Sequence, residues 1–202
     1  MGELDRDRIA AAALAVADER GFEGFTMRAV ADALGVTPMA LYHHVADKAA
    51  LAALLVEAAI NAQPLPAPTG DWREDLWGIA QWMRSSTRAH PVVAHIRRSY
   101  GVWTESSLQI TERWLSLWQQ SGLPLDSAVT AATTSSLAIV GIVAEEAILT
   151  GMKRPSEAQL SWLPNARMVF NARPDRDANF ELSVRALIDG LHARLGLLEP
   201  VG

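Results

Sequence analysis

Between residues 26 and 48 the chain reads T-M-R-A-V-A-D-A-L-G-V-T-P-M-A-L-Y-H-H-V-A-D-K. Thr37, Pro38, Met39, Ala40, Tyr42 and His43 crowd into seven positions of it. Hydroxyl, phenol and imidazole groups can donate to and accept from base edges and phosphates, and Pro, Met and Ala suit the methyl groups of thymine. Such a set does recognition rather than bond-making. Elsewhere the chain carries no Gly-rich phosphate loop, no nucleophile with a nearby base and no His-x-x-x-His pair. With no cysteine there is also no thiolate nucleophile, disulfide or Cys-based metal site. These absences argue against an enzyme.

To hold those side chains in a groove, the stretch must fold as two short helices around a tight turn. Thr26 can cap the first helix, because its hydroxyl accepts an N–H two or three residues on. Met27, Val30, Ala31 and Leu34 recur at helical spacing. Gly35 follows, where a left-handed residue closes a helix. Thr37 caps the second helix and Pro38 takes its first position, where a missing N–H costs nothing. Leu41 and Val45 point inward from it. Asp47 begins another helix before Lys48. Helix, three-residue turn and helix make a helix-turn-helix, whose second helix presents its first residues to the major groove.

The pattern A-x-x-L-G-V-x-x-x-x-L-Y-x-H-V-x-x-K, spanning 31–48, resembles the TetR family of one-component bacterial repressors. The resemblance implies that Thr26, Tyr42 and Lys48 meet phosphates and that Arg28 meets a base or a phosphate. It places Thr37, Pro38, Met39, Ala40 and His43 on the base-reading face and gives His44 a structural place. Arg28 is then the candidate for guanine.

At 202 residues, half of them hydrophobic, the chain is long enough for one domain or two. Its net charge is −5, and the first 60 residues hold five Lys or Arg against nine Asp or Glu. Most of those acids fall in or near the first helix, while residues 37–48 hold one acid, one base and two histidines. Helix N-termini supply further partial positive charge for phosphates. A shallow salt dependence of DNA binding is expected, since few phosphates are neutralised per protomer. The charged N-terminus is unlike a signal peptide, and no 18 apolar residues run unbroken. A cytoplasmic protein with no membrane partner is expected.

Taken in order, residues 5–20 form a first helix ended by Gly21, with Phe22 and Phe25 plugging a three-helix core. A helix from about 47 to 63 presents Leu51, Leu54, Leu55, Ala58 and Ala59. Three prolines at 64, 66 and 68 then stop any helix, so a helix-turn-helix DNA-binding domain at 1–63 meets a second domain at 71–202. The second domain also reads as all helix, at about 71–89, 91–100, 103–121, 127–150 and 180–195. Two short helices are expected inside the irregular 151–179, which carries Pro155, Pro164 and Pro174. In the 71–89 helix, Trp77 and Trp82 fall off the apolar stripe. The 127–150 helix is apolar almost all round, which predicts burial. The fold class is all-α: a three-helix reading domain followed by a helical-bundle ligand-binding and dimerisation domain.

A repressor needs a partner and a switch. A single reading helix covers only about 3–5 base pairs, so a homodimer on a palindromic double-stranded DNA operator is expected. The 127–150 and 180–195 helices of two subunits would make a four-helix bundle, with Ala131, Ala132, Ser135, Ser136 and Gly141 allowing close approach. The switch candidates lie between. Six of the seven Trp fall within 47 residues, and aromatic and Met side chains line apolar pockets. Trp82, Met83, Trp103 and Trp114 are the candidate walls of a small-molecule effector site, with Tyr100 beside them. His95, Glu145 and Glu146 stand out as polar groups in apolar surroundings, where a charge needs a reason to be buried. In tetracycline-repressor-type members a His after the fifth helix and an acid near the end of the eighth hold a magnesium-bound drug. His95 and Glu145 or Glu146 fall near those places, and Glu146 is the choice for the effector site. Those members also carry a His where this chain reads Asn61-Ala-Gln63-Pro64, which points to a flatter or more apolar effector than tetracycline. No cofactor is called for, and metal-assisted ligand binding stays open. The alternatives are a small-molecule carrier or enzyme on an all-α scaffold, or a TetR-like activator.

Overall fold

The computed structural model describes residues 4–172 and 175–197; Pro174 lies outside them. Eleven helices and no strand occur among the described residues. By contacts the chain divides into two compact units, Met1–Gly122 and Leu123–Gly202.

The first unit holds seven helices. Helix α1 (Arg6–Gly24) is capped by Asp5, whose carboxylate accepts the Arg8 N–H at 2.8 Å. Gly21 interrupts it at φ 68°, so the regular helix stops there as expected and residues 22–24 form a separate turn. Helices α2 (Met27–Leu34) and α3 (Pro38–Tyr42) follow. Helix α3 is shorter than the sequence suggests. It ends at Tyr42, and Val45 reaches the core from the turn beyond, its N–H donating to Leu41 O at 3.0 Å.

Helix α4 (Lys48–Asn61) begins at its Asp47 cap and packs on α1, on α6 (Pro91–Tyr100) and on α7 (Glu105–Gln120). Contact on several sides explains why it buries Leu51, Ala52, Leu55, Val56 and Ala59, a wider set than one stripe. Ile96 and Val102 join Ile9, Phe25, Val30, Leu41 and Leu55 in a single core. Helix α5 (Trp72–Ala89) packs on α7. Trp77, expected off its stripe, is buried, and Trp72 meets Trp118 of α7 with ring centroids 5.6 Å apart.

In the second unit, α8 (Leu125–Gly151) packs on α11 (Arg176–Leu195). Helix α11 starts a turn before the expected place because Asp175 accepts the N–H groups of Asp177 and Ala178. It buries Phe180, Val184 and Ile188. Two short helices, α9 (Glu157–Leu160) and α10 (Pro164–Asn171), occupy the proline-containing connection. Within the single chain α8 is covered on one face only. Ala128, Ala131, Ala132, Ser135, Ile139 and Val143 are buried, but Val129, Leu137, Val140, Ile148 and Leu149 are exposed. One chain covers one face of this helix. By length and hydropathy alone α8 matches a membrane span, a test that core helices also pass.

Candidate nucleic-acid interface and effector region

The turn between α2 and α3 is set by three local devices. Thr26 Oγ1 accepts the Ala29 N–H at 3.1 Å and starts α2. At its end Gly35 adopts φ 68° and ψ 31°. That conformation lets Gly35 N–H donate to Asp32 O at 3.1 Å and Val36 N–H to Ala31 O at 3.0 Å, the paired bonds of a Schellman close. Thr37 Oγ1 then accepts the Ala40 N–H at 3.1 Å, with Pro38 in the first turn of α3. Leu41 and Val45 anchor the inner side in the core. The outer side therefore presents Thr37, Pro38, Met39, Tyr42 and His43 to solvent, with Met39 68 % and Tyr42 48 % exposed. Ala40 is half-buried, and Thr26 and Arg28 are exposed beside this face on α2. Met39 and Tyr42 are thus large side chains left in water on a capped helix.

Lys48 is placed differently from the others. It is half-buried, and its Nζ lies 5.5 Å from the ring centroids of both Phe25 and Tyr100 and 6.0 Å from that of Phe22. The three rings pack on one another, Phe22 to Tyr100 at 6.2 Å and Phe25 to Tyr100 edge-on at 6.4 Å. His95 stacks on Phe22, centroids 4.1 Å apart and planes 14° apart. So two residues expected at the effector site, His95 and Tyr100, belong to an aromatic cluster with Phe22, Phe25 and Lys48.

The remaining effector candidates lie elsewhere. Trp82 is half-buried and donates its indole N–H to Gln63 O at 3.1 Å, and Met83 beside it is half-buried. Trp114 is buried on α7, next to the Trp72–Trp118 contact. Trp103 is 64 % exposed and carries the Arg97 guanidinium 5.3 Å from its ring. Glu146 is half-buried in the second unit, and Glu145 is exposed. Among the described residues no three His, Cys, Asp or Glu side chains converge.

Three polar contacts escaped the sequence reading. Glu57 on α4 accepts from Ser106 Oγ at 2.5 Å and from the Ser106 N–H at 3.4 Å, and Asn61 joins them at 3.2 Å. Burial pushes this carboxyl up, but bonds from Ser106, Thr104 and Asn61 outweigh it and hold it below the usual range. The signal was present: Glu57 is an acid inside the apolar run of α4. Asp75 is buried and accepts the Thr69 N–H and hydroxyl at 2.7 Å each. Its burial also raises its pKa, and the Thr69 bonds, the Arg113 charge and the Gly70 N–H reverse the shift to a net lowering. His90, between α5 and α6, lies 2.7 Å from Asp18 of α1. Each ties α1, α4 or the proline linker to α5, α6 or α7.

Comparison with known proteins agrees with this geometry. Residues 9–55 match the model for bacterial regulatory proteins of the tetR family, and residues 63–195 match the tetracyclin repressor-like C-terminal domain. The tetracycline repressor protein class A from transposon 1721 of Escherichia coli is 30 % identical over 202 residues, covering 96 % of this chain and 93 % of that protein. The HTH-type transcriptional repressor DrrR1 of Streptomyces coeruleorubidus is 34 % identical over 122 residues; the match takes in 59 % of this chain and 45 % of that longer protein. Among solved structures, a TetR variant from Acinetobacter baumannii in complex with minocycline superimposes with a TM-score of 0.70 at 27 % identity, covering 96 % of this chain and 99 % of that one. A capped helix-turn-helix in front and a tetracycline-repressor-like bundle behind thus meet in one chain, which belongs to the TetR family of ligand-responsive, DNA-binding transcriptional repressors.

Proposed function

We propose that two copies of this chain grip a palindromic operator and let go when a hydrophobic or drug-like small molecule binds the C-terminal half. The observation that carries this reading is the outer face of α3. It is rigidly capped, exposed and free of carboxylates from Thr37 to Ala46. Thr37, Pro38, Met39, Ala40 and His43 read bases, Arg28 reads guanine or a phosphate, and Thr26, Tyr42 and Lys48 hold phosphates. The dimer forms through α8 and α11. The stripe of Val129, Leu137, Val140 and Ile148 on α8, with Leu182 on α11, supports it: these side chains stay in water in the single chain. Dimerisation puts two α3 helices at half-sites about one helical turn, 34–36 Å, apart.

The functional halves are 1–63 and 71–202, and the two family matches change over at residues 55–63. Trp82, Met83, His95, Tyr100, Trp103, Trp114 and Glu146 remain the effector candidates. Similarity to tetracycline repressors and to a minocycline-bound structure supports an effector of drug size with fused rings or other flat apolar surface. Helix α4 carries the signal, because it touches both the reading helix α1 and the α6 and α7 helices. Taking the operator from nearly full to nearly empty requires the effector to prefer the released state by about 5.5 kcal/mol. The protein works beside the chromosome in the cytoplasm and carries out no reaction.

Intrinsic tryptophan fluorescence, read together with release of labelled upstream DNA, tests the switch. From a panel of hydrophobic and drug-like compounds, one that quenches and releases in one concentration range is the expected result. Stable DNA binding with no quenching across such a panel would overturn the effector assignment.

A further inference from the structure

The cluster around Lys48 draws on residues far apart in the chain. Phe22 comes from the end of α1, Phe25 from the connection to α2, and Tyr100 is the last residue of α6. Attraction between the ammonium and the three ring faces restricts where its nitrogen can sit. Rings cannot accept all three N–H donors as an anion would, and no carboxylate lies within ion-pair distance of Lys48 among the described residues. The donors are therefore oriented and still unspent. Phe22 and Phe25 are fixed from the reading-domain side, Phe25 by complete burial. Tyr100 is fixed by α6, whose end is closed by Gly101 in the left-handed region and by the Val102 N–H to Arg97 O bond of 3.1 Å.

We propose that Tyr100 is a positioning residue for Lys48, so that the place of α6 sets whether the ammonium points at an operator phosphate. Tyr100 then acts on DNA without touching it. The inference rests on the operator reading above, and it assigns to Tyr100 a role distinct from lining an effector pocket. The hydroxyl is not needed; the ring face is. Displacing α6 withdraws one wall of the cage and leaves the long lysine side chain free to wander.

Two measurements test it on the full-length protein. The chain has two lysines, Lys48 and Lys153, and Lys153 is exposed. Reductive methylation with carbon-13 keeps the charge and gives one NMR signal for each. In the DNA-free protein the Lys48 signal is expected upfield of Lys153 through ring currents. It should stay there in Tyr100→Phe and move toward Lys153 in Tyr100→Leu. Coincident signals in the parent protein, or no movement in Tyr100→Leu, would overturn the cage.

The second measurement follows operator affinity of the unmodified protein against salt. Loss of one phosphate contact lowers the slope of log K on log salt by about 0.9 per reading head. Tyr100→Leu and Lys48→Gln should both show that loss and bind about tenfold more weakly at low salt. Tyr100→Phe should match the parent, and the double variant should bind no worse than Lys48→Gln. An unchanged slope in Tyr100→Leu, or an additive loss in the double variant, contradicts the proposal. If Tyr100→Leu does not fold, Phe22→Leu opens the opposite wall and is read in the same way. A parent protein that binds no operator would count against the operator reading; a parent that binds while Tyr100→Leu binds identically counts against the cage alone.

Discussion

Arg28 leaves α2 into solvent two residues after the Thr26 cap, and no acid adjoins it in the sequence. A guanidinium in that place can make a two-pronged bond to guanine. Arg28→Ala should weaken specific operator binding by about 1–3 kcal/mol and relax the preference at one base pair per half-site. Competition against operators substituted at single positions measures both effects, and an unchanged profile removes Arg28 from the readout. Asp75 makes a different kind of prediction, about stability. Its pKa is lowered in the folded chain, so the native state binds its proton less tightly than the unfolded state does. The resulting stabilisation is present above the ordinary carboxylate range and disappears as pH falls through the lowered folded value. Asp75→Asn should therefore cost about 1–3 kcal/mol at neutral pH through its weakened bonds to Thr69, and the gap to the parent should close in acid. Denaturant melts at pH 7 and pH 3 decide it; a gap independent of pH would mean the carboxylate charge is irrelevant. The caps were legible in sequence because Thr26, Thr37 and Asp47 act on N–H groups three residues away. The surroundings of Lys48 and His95 were not, because Phe22, Phe25 and Tyr100 are remote in sequence and no local pattern joins them.

At the scale of elements, the turn from α2 to α3 depends on one backbone conformation. A Cβ at Gly35 would meet nothing within 4 Å, so only the positive φ of 68° opposes a side chain there. Gly35→Ala should cost about 1–2 kcal/mol, seen as a lower melting temperature with the helical spectrum retained. No change in melting would show that the turn adopts another conformation. Helix existence followed from periodicity and breakers almost throughout, since Gly, Pro and capping residues punctuate this chain densely. The failures have physical causes. Helix α3 holds too few residues for a periodic signal, so its end at Tyr42 was invisible. The uniform hydrophobicity of α8 calls for cover on every side, and a single chain supplies it on one side only. Composition reports how much apolar surface needs covering and is silent about which molecule covers it.

On the scale of the whole molecule, that uncovered face leads to the assembly. Leu137 is 70 % exposed in the single chain, so a charge there leaves the subunit fold intact and falls in the proposed interface. Leu137→Arg should sediment as a folded monomer and lose at least tenfold in operator affinity, because the two reading heads no longer bind as a unit. A variant that remains a dimer would place the interface elsewhere. The net negative charge of the chain is compatible with DNA binding because residues 37–46 carry no acid, and it fits the expected shallow salt dependence. Operator binding by fluorescence anisotropy tests the central claim most directly, using the intergenic DNA upstream of the protein's own gene at low salt. The account predicts saturable binding of one dimer per site, a shallow salt dependence and loss of binding when the half-site spacing is changed by half a turn. A folded dimer that binds this DNA no better than a scrambled duplex would contradict it.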